Sequence, residues 1–217
     1  MLTANSALDD IRIMTAALWS HASWAALARL LLVSVLLAIC APSLSAAADE
    51  QSDAVKLVET VRQAAIALGQ GGSAEGQLRS ISAAFDGRGI AQAVLGTYWR
   101  RASADDRASV VDALLYAIAR RLADRLERTQ DKTLTVLGTK ALANGDILVR
   151  SQFHRPLHGP TSVDWRVRHC RGQLCIGDVF VDGGSVTVQQ RDRVAQLLAS
   201  NGGSIPALVA DIRKGRL

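Results

Sequence analysis

Apolar positions keep a helical period through the first half of the chain and a period of two through much of the second. Val55, Val58, Val61 and Ala65 form one stripe, which predicts a helix capped by Ser52 or Asp53 and running to Ala67. Leu68 to Ser73 is glycine-rich and predicts a loop. Leu78, Ile81 and Phe85 are the inner positions of a short helix from Glu75 to Ala84. Ile90, Val94 and Tyr98 then line one face of the next helical stretch. After a short break, Ser103 with Asp106 three places on has the pattern of a capping box. The helix it opens is the longest, Ala104 to about Arg128, with Val111, Leu114, Leu115, Ile118, Leu122 and Leu126 on one side.

From Lys132 the period changes. Leu134, Val136 and Gly138 alternate with Thr133, Thr135, Leu137 and Thr139, and Asn144-Gly145 is a tight-turn signal. Asp146 to Arg155 is the return strand, with Ile147, Val149, Ser151 and Phe153 on one face. A loop from Pro156 to Pro160 leads to a third strand, Thr161 to Cys170, in which Val163, Trp165 and Val167 face one way and Asp164, Arg166 and Arg168 the other. Arg171-Gly172-Gln173 turns the chain into a fourth strand, Leu174 to Val188, broken at Asp182-Gly183-Gly184. Two helices close the chain: Gln190 to Ser200, then one capped by Ser204 with Pro206 in its first turn and Leu208, Val209 and Ile212 on its apolar side. Helices, then an antiparallel meander, then helices predict an α+β fold.

The 217 residues suit one domain. Their 49% hydrophobic content is raised by the N-terminus, where Leu30 to Ala41 is apolar apart from Ser34. Arg29 precedes that run, Pro42 ends it, and Ser45-Ala46-Ala47-Ala48 supplies small residues at the spacing of a leader cleavage site. The pattern predicts a secretory signal over residues 1–48; a retained anchor is the alternative, although the apolar core is short for a bilayer. The domain then covers residues 49–217, with a helical part to 130 and the sheet and closing helices from 131. Removing the leader takes away Arg12 and Arg29 with Asp9 and Asp10, so the net charge stays at +5. A basic exported protein is drawn to anionic membrane surfaces. No basic block is interleaved with aromatics, which argues against nucleic acid as a partner.

Cys40 leaves with the leader. Cys170 and Cys175, with four residues between them at a hairpin, form either a cross-hairpin disulfide in an oxidising compartment or two free thiols. Arg107, Arg120, Arg121, Arg125 and Arg128 lie mostly off the apolar side of the long helix; those near its C-terminal end suit the helix dipole, the alternative being a docking surface for a membrane complex. Asp164, Arg166 and Asp178 are placed for a cross-strand charged row.

Catalytic motifs are missing. The chain has no phosphate-cradling glycine loop, no zinc-protease helix and no nucleophile elbow. His154 and His158 are separated by Pro156, so no helix makes them a metal pair, and no metal or cofactor is expected. Asp105-Asp106 sits in a helix first turn, where acids belong for electrostatic reasons. What the chain has in excess is apolar helix faces set against a sheet, an arrangement able to enclose an apolar guest.

The stretch Phe85-Asp86, Ile90-Ala91, Val94-Leu95-Gly96, Trp99-Arg100 and Ser103 resembles the MlaC, or toluene-tolerance, family of periplasmic phospholipid-binding proteins. Val163-Asp164-Trp165-Arg166, Asp178-Val179-Phe180-Val181-Asp182-Gly183 and Arg191 match its strand motifs. Departures include Ser103-Ala104-Asp105-Asp106 in place of Thr-Pro-Glu-Gln, Gly184 in place of a larger apolar residue, Gln189-Gln190 in place of Asn-Tyr, and the two cysteines. The resemblance implies an NTF2-like curved antiparallel sheet of about four strands, wrapped by helices around an apolar pocket. It implies a periplasmic shuttle carrying phospholipid between an outer-membrane lipoprotein–porin complex and an inner-membrane ABC transporter complex with a lipid-binding ring protein. The residues expected to line the acyl pocket are Val94, Tyr98, Ile118, Leu122, Val149, Phe153, Val163, Trp165, Val167, Val179 and Val181. A hopanoid carrier, an NTF2-like enzyme using Asp164, and an envelope assembly protein with a filled core are the alternatives.

Overall fold

A computed structural model describes residues 47–70, 74–128, 134–154 and 159–217. The expectations for the leader with Cys40, for Gly71 to Ser73, for the side chains of Leu126 and Arg128, and for His158 lie outside the described residues. Residues 50–217 form one compact unit, which carries the fold described below. Among the described residues no helix is long and apolar enough to cross a membrane.

Seven helices and five strands are described. Helix α1 covers residues 47–69, followed by α2 (Ala74–Ala84), α3 (Gly87–Leu95), α4 (Thr97–Arg101) and α5 (Ala104–Arg128). Then come β1 (Leu134–Ala141), β2 (Ile147–Phe153), β3 (Thr161–Cys170), β4 (Gln173–Val181) and β5 (Gly184–Ser185), and finally α6 (Val186–Ser200) and α7 (Ile205–Arg213). The sheet is antiparallel in the order β1-β2-β3-β4-β5.

The sheet has five strands rather than four. The expected fourth strand stops at Val181, a two-residue strand follows the Asp182-Gly183 turn, and residues 186–188 open α6 instead of extending the sheet. Val186, Thr187 and Val188 are β-branched and favour strand, but local hydrogen bonds override that preference. The Ser185 hydroxyl accepts from Val188 N at 3.1 Å and donates to Asp178 Oδ2 at 2.6 Å. The same carboxylate accepts from the Thr187 hydroxyl at 2.7 Å and its backbone N–H at 3.2 Å. Two groups that cap the helix N-terminus thus hold its first turn.

Helix α1 starts before Ser52 and buries Ala54, Val58, Val61, Ala65 and Leu68. Ser103 caps α5 as expected, accepting from Asp106 N at 3.0 Å. The burial of α5 differs from the expected single stripe. Val110, Ala113, Leu114, Ala119 and Ala123 are its deepest residues, while Val111, Leu115, Ile118 and Leu122 are half-buried. The cause is its central position: α2, α3 and α7 all pack on it, so its buried surface spreads around the axis. Arg107 folds back from its first turn, donating to Trp99 O at 2.9 Å with its guanidinium 5.3 Å from the Trp99 ring centroid. Arg120 faces Asp124 at 3.8 Å.

Helices and sheet are joined at Phe85-Asp86. Phe85 is buried and bridges in parallel to Ile176 of β4, and Asp86 N donates to Ile176 O at 2.9 Å. The Asp86 carboxylate accepts from Gly89 N at 2.9 Å, which caps α3. Its second oxygen pairs with Arg168 of β3. Asp86→Ala removes a cap and leaves a half-buried guanidinium unpaired, so it is expected to lower stability by about 2–3 kcal/mol. Urea denaturation checks this, and a loss below about 0.5 kcal/mol, the scale of an ordinary surface change, would contradict it.

Candidate functional site

The register places every strand residue of the expected acyl-binding set on one face of the sheet. Val149 lies opposite Trp165, which lies opposite Val179; Val163 lies opposite Val181 and beside Ser151; Phe153 faces Thr161 and Val167 faces Ile176. The period-two reading therefore has the right parity in β2, β3 and β4. A bulge at Gly177 keeps β4 in phase past Arg166. Val149, Phe153, Val163, Trp165 and Val167 are buried, and Val179 and Val181 are half-buried. Of the helical members, Val94 is buried and Tyr98, Ile118 and Leu122 are half-buried.

One apolar cluster joins this sheet face to Val58, Val61 and Ala65 of α1, Val94 of α3 and Leu114 of α5. The start of α1 is tied to the same side of the sheet. The hydroxyl of Thr139, opposite Val149, donates to Gln51 Oε1. His169 Nε2 lies 2.6 Å from Glu50 Oε1.

The apolar face carries a polar pair that the sequence pattern did not single out. Trp165 is 1% exposed, and its Nε1–H donates to Ser151 Oγ at 3.0 Å. The Ser151 hydroxyl, fully buried, donates in turn to Val163 O. A buried indole N–H needs an acceptor, and a serine in an otherwise apolar row was the available signal. The pair lets this large, buried side chain sit on the apolar face without an unsatisfied donor.

The opposite face is polar. Asp164 lies there, between Arg150 and Phe180 of the neighbouring strands, with Ser162 Oγ at 3.4 Å. It is therefore outside the apolar side, and an enzyme reading loses its one candidate acid. Asp164, Arg166 and Asp178 share this face as expected, with Arg166 opposite Asp178, but they do not pair with one another. Arg166 pairs with Asp146, and Asp178 is taken up by the start of α6. Among the described residues no three His, Cys, Asp or Glu side chains are grouped to hold a metal ion. Cys170 and Cys175 form a disulfide across the β3–β4 hairpin, their Cα atoms 6.0 Å apart.

Two clefts open on the described surface. One, of about 420 Å³, lies at Asp112, Ala113, Tyr116 and Arg213 between α5 and α7. The other, of about 670 Å³, lies between α3 and the β3–β4 hairpin. Neither is lined by the eleven residues of the expected acyl set.

The family model for the MlaC protein matches residues 56–214, almost all of the unit that carries this fold. The chain belongs to the MlaC family. Among solved structures, the MlaC-family chain is similar to the phospholipid-binding protein from Ralstonia solanacearum in complex with a phospholipid. The identity is 19%, the TM-score 0.63, and the match covers 77% of this chain and 96% of that one. The likeness shows a shared fold. No curated protein matches the chain in sequence. The motifs of this MlaC-family chain now have physical roles: Phe85-Asp86 fastens helices to sheet, Trp99 lies against the guanidinium of Arg107, and Ser103 caps α5.

The Ser151–Trp165 bond is testable by a double-mutant cycle. Ser151→Val is expected to cost about 1–3 kcal/mol by stranding the indole N–H. Combined with Trp165→Phe, it should cost less than the sum of the single changes by about 1 kcal/mol. Simple additivity in thermal or urea unfolding would contradict the bond's role.

Proposed function

We propose that this chain is a periplasmic carrier of phospholipid that holds acyl tails against the apolar face of β2–β4. The continuous row of Val149, Phe153, Val163, Trp165, Val167, Val179 and Val181 on one sheet face carries the proposal. Membership of the MlaC family and the phospholipid in the Ralstonia solanacearum neighbour support it. The physical demand is large: at about 0.8 kcal/mol per methylene, taking one long acyl chain through water costs on the order of 10 kcal/mol. A carrier offsets that cost by exchanging water for a protein wall. Trp165 and Val149 form the floor of that wall, and the half-buried Tyr98, Ile118, Leu122, Val179 and Val181 are the members able to move aside for a tail.

On this reading residues 1–48 are a leader removed on export. The carrier shuttles between an outer-membrane lipoprotein–porin complex and an inner-membrane ABC transporter complex with a lipid-binding ring protein. No covalent step is proposed, since Asp164 lies on the face away from the tails.

Native mass spectrometry of gently purified protein is expected to find a co-purified phospholipid, and the emptied protein should take lipid up from vesicles. Val179→Trp, which fills space beside Trp165, should reduce uptake about tenfold while costing about 1–3 kcal/mol of stability. Protein that emerges without lipid and takes none from vesicles would overturn the proposal.

A further inference from the structure

The cleft between α3 and the β3–β4 hairpin has a chemistry different from that of the apolar face. Arg88, Arg168, Arg171, His169 and Gln92 line it, together with Asp86. His169 is matched by Glu50. Asp86 compensates one of the three guanidiniums, that of Arg168. Among the described residues Arg88 and Arg171 have no carboxylate partner, so the cleft holds two positive charges in excess.

The slot for Arg168 is built into the backbone. A Cβ at Gly177 would stand 2.7 Å from Arg168 Nε, and one at Gly89 would collide with the guanidinium itself. Two residues without side chains thus leave a passage from the sheet to the cleft. Asp86 occupies one guanidinium nitrogen, and Nε is buried with no hydrogen-bond partner. A guanidinium carries five donors, so Arg168 retains donors beyond the Asp86 bond. Arg88 rests on Trp99, its guanidinium 5.9 Å from the ring centroid, which limits its range of positions. Arg171 stands at the hairpin tip with φ at 51°, a left-handed conformation that a residue with a Cβ rarely adopts.

We propose that this cleft binds a phosphate group, carried either by a lipid headgroup or by free phosphate. Planar guanidiniums match phosphate oxygens bidentately, and charge-assisted bonds of this kind are about twice as strong as neutral ones. The Asp86 carboxylate orients Arg168 and keeps the excess charge moderate. The proposal does not depend on what occupies the apolar side of the sheet.

Calorimetric titration with glycerophosphoglycerol, a soluble phosphodiester headgroup, and separately with inorganic phosphate tests it. Saturable binding of either is expected, weakening with added sodium chloride. Arg88→Ala and Arg171→Ala should each weaken it about tenfold, the loss of one charge-assisted contact. Arg150→Ala, on the exposed outer face of β2, should leave it unchanged. Diester binding assigns the site to a headgroup; binding of inorganic phosphate alone assigns it to free phosphate. The absence of binding by both, or equal binding in the Arg88 and Arg171 variants, would overturn the proposal. Lipid uptake from vesicles, measured on the same variants, separates this outcome from any failure of lipid carriage.

Discussion

Asp86 secures α3 to the sheet and caps it at the same time. Three bonds meet at this residue: its backbone N–H donates to Ile176 O, one carboxylate oxygen accepts from Gly89 N, and the other pairs with Arg168. The first extends the edge of β4 beyond the short β5. The second starts α3, which packs on α5 and α6 and so sets the helical layer. The third crosses from helix to sheet between residues far apart in sequence. Phe85 seals the junction by filling the core beside Ile176. Without this joint, α3 would lose its cap and its tie to the sheet together.

The two sheet faces then divide the work by chemistry. One carries a row of valines around Phe153 and Trp165 that also includes Ser151 and Thr161, with Ser151 satisfying the indole. The other carries Arg150, Asp164, Arg166 and Arg168. Strand alternation requires this separation, because neighbouring residues must point to opposite faces. An apolar and a charged environment therefore lie within a few residues of each other on β3. Small residues on the helices, Ala54, Ala65, Ala113, Ala119 and Ala123, let backbones approach closely within the core.

Much of this was legible in the chain because it is local. The ends of β3 and α5, the caps at Ser103 and Ser204, and the facing of Val163, Trp165 and Val167 follow from alternation and capping chemistry within short windows. What escaped is non-local. Asp178 was readable as a strand charge, but its use in starting α6 depends on Ser185 and Thr187 folding back across a turn. Arg168 was readable only as a residue on the face away from Val163, Trp165 and Val167, and its partner Asp86 lies in another layer. The burial of α5 followed no single stripe because three helices pack on it. Of the residues expected to bind acyl tails, the facing of the strand members was legible, while the burial of the helical members was set by packing between layers.

The most direct measurement is photo-cross-linking with a phospholipid bearing a diazirine near the end of an acyl chain, followed by mass-spectrometric mapping of the labelled residues. The account predicts labels at Val149, Val163, Val179 and Val181 on the apolar face of the sheet and at Tyr98, Ile118 and Leu122, which pack against the same core. Labels concentrated instead on the outer face around Arg150 and Asp164, or scattered over the surface, would contradict it.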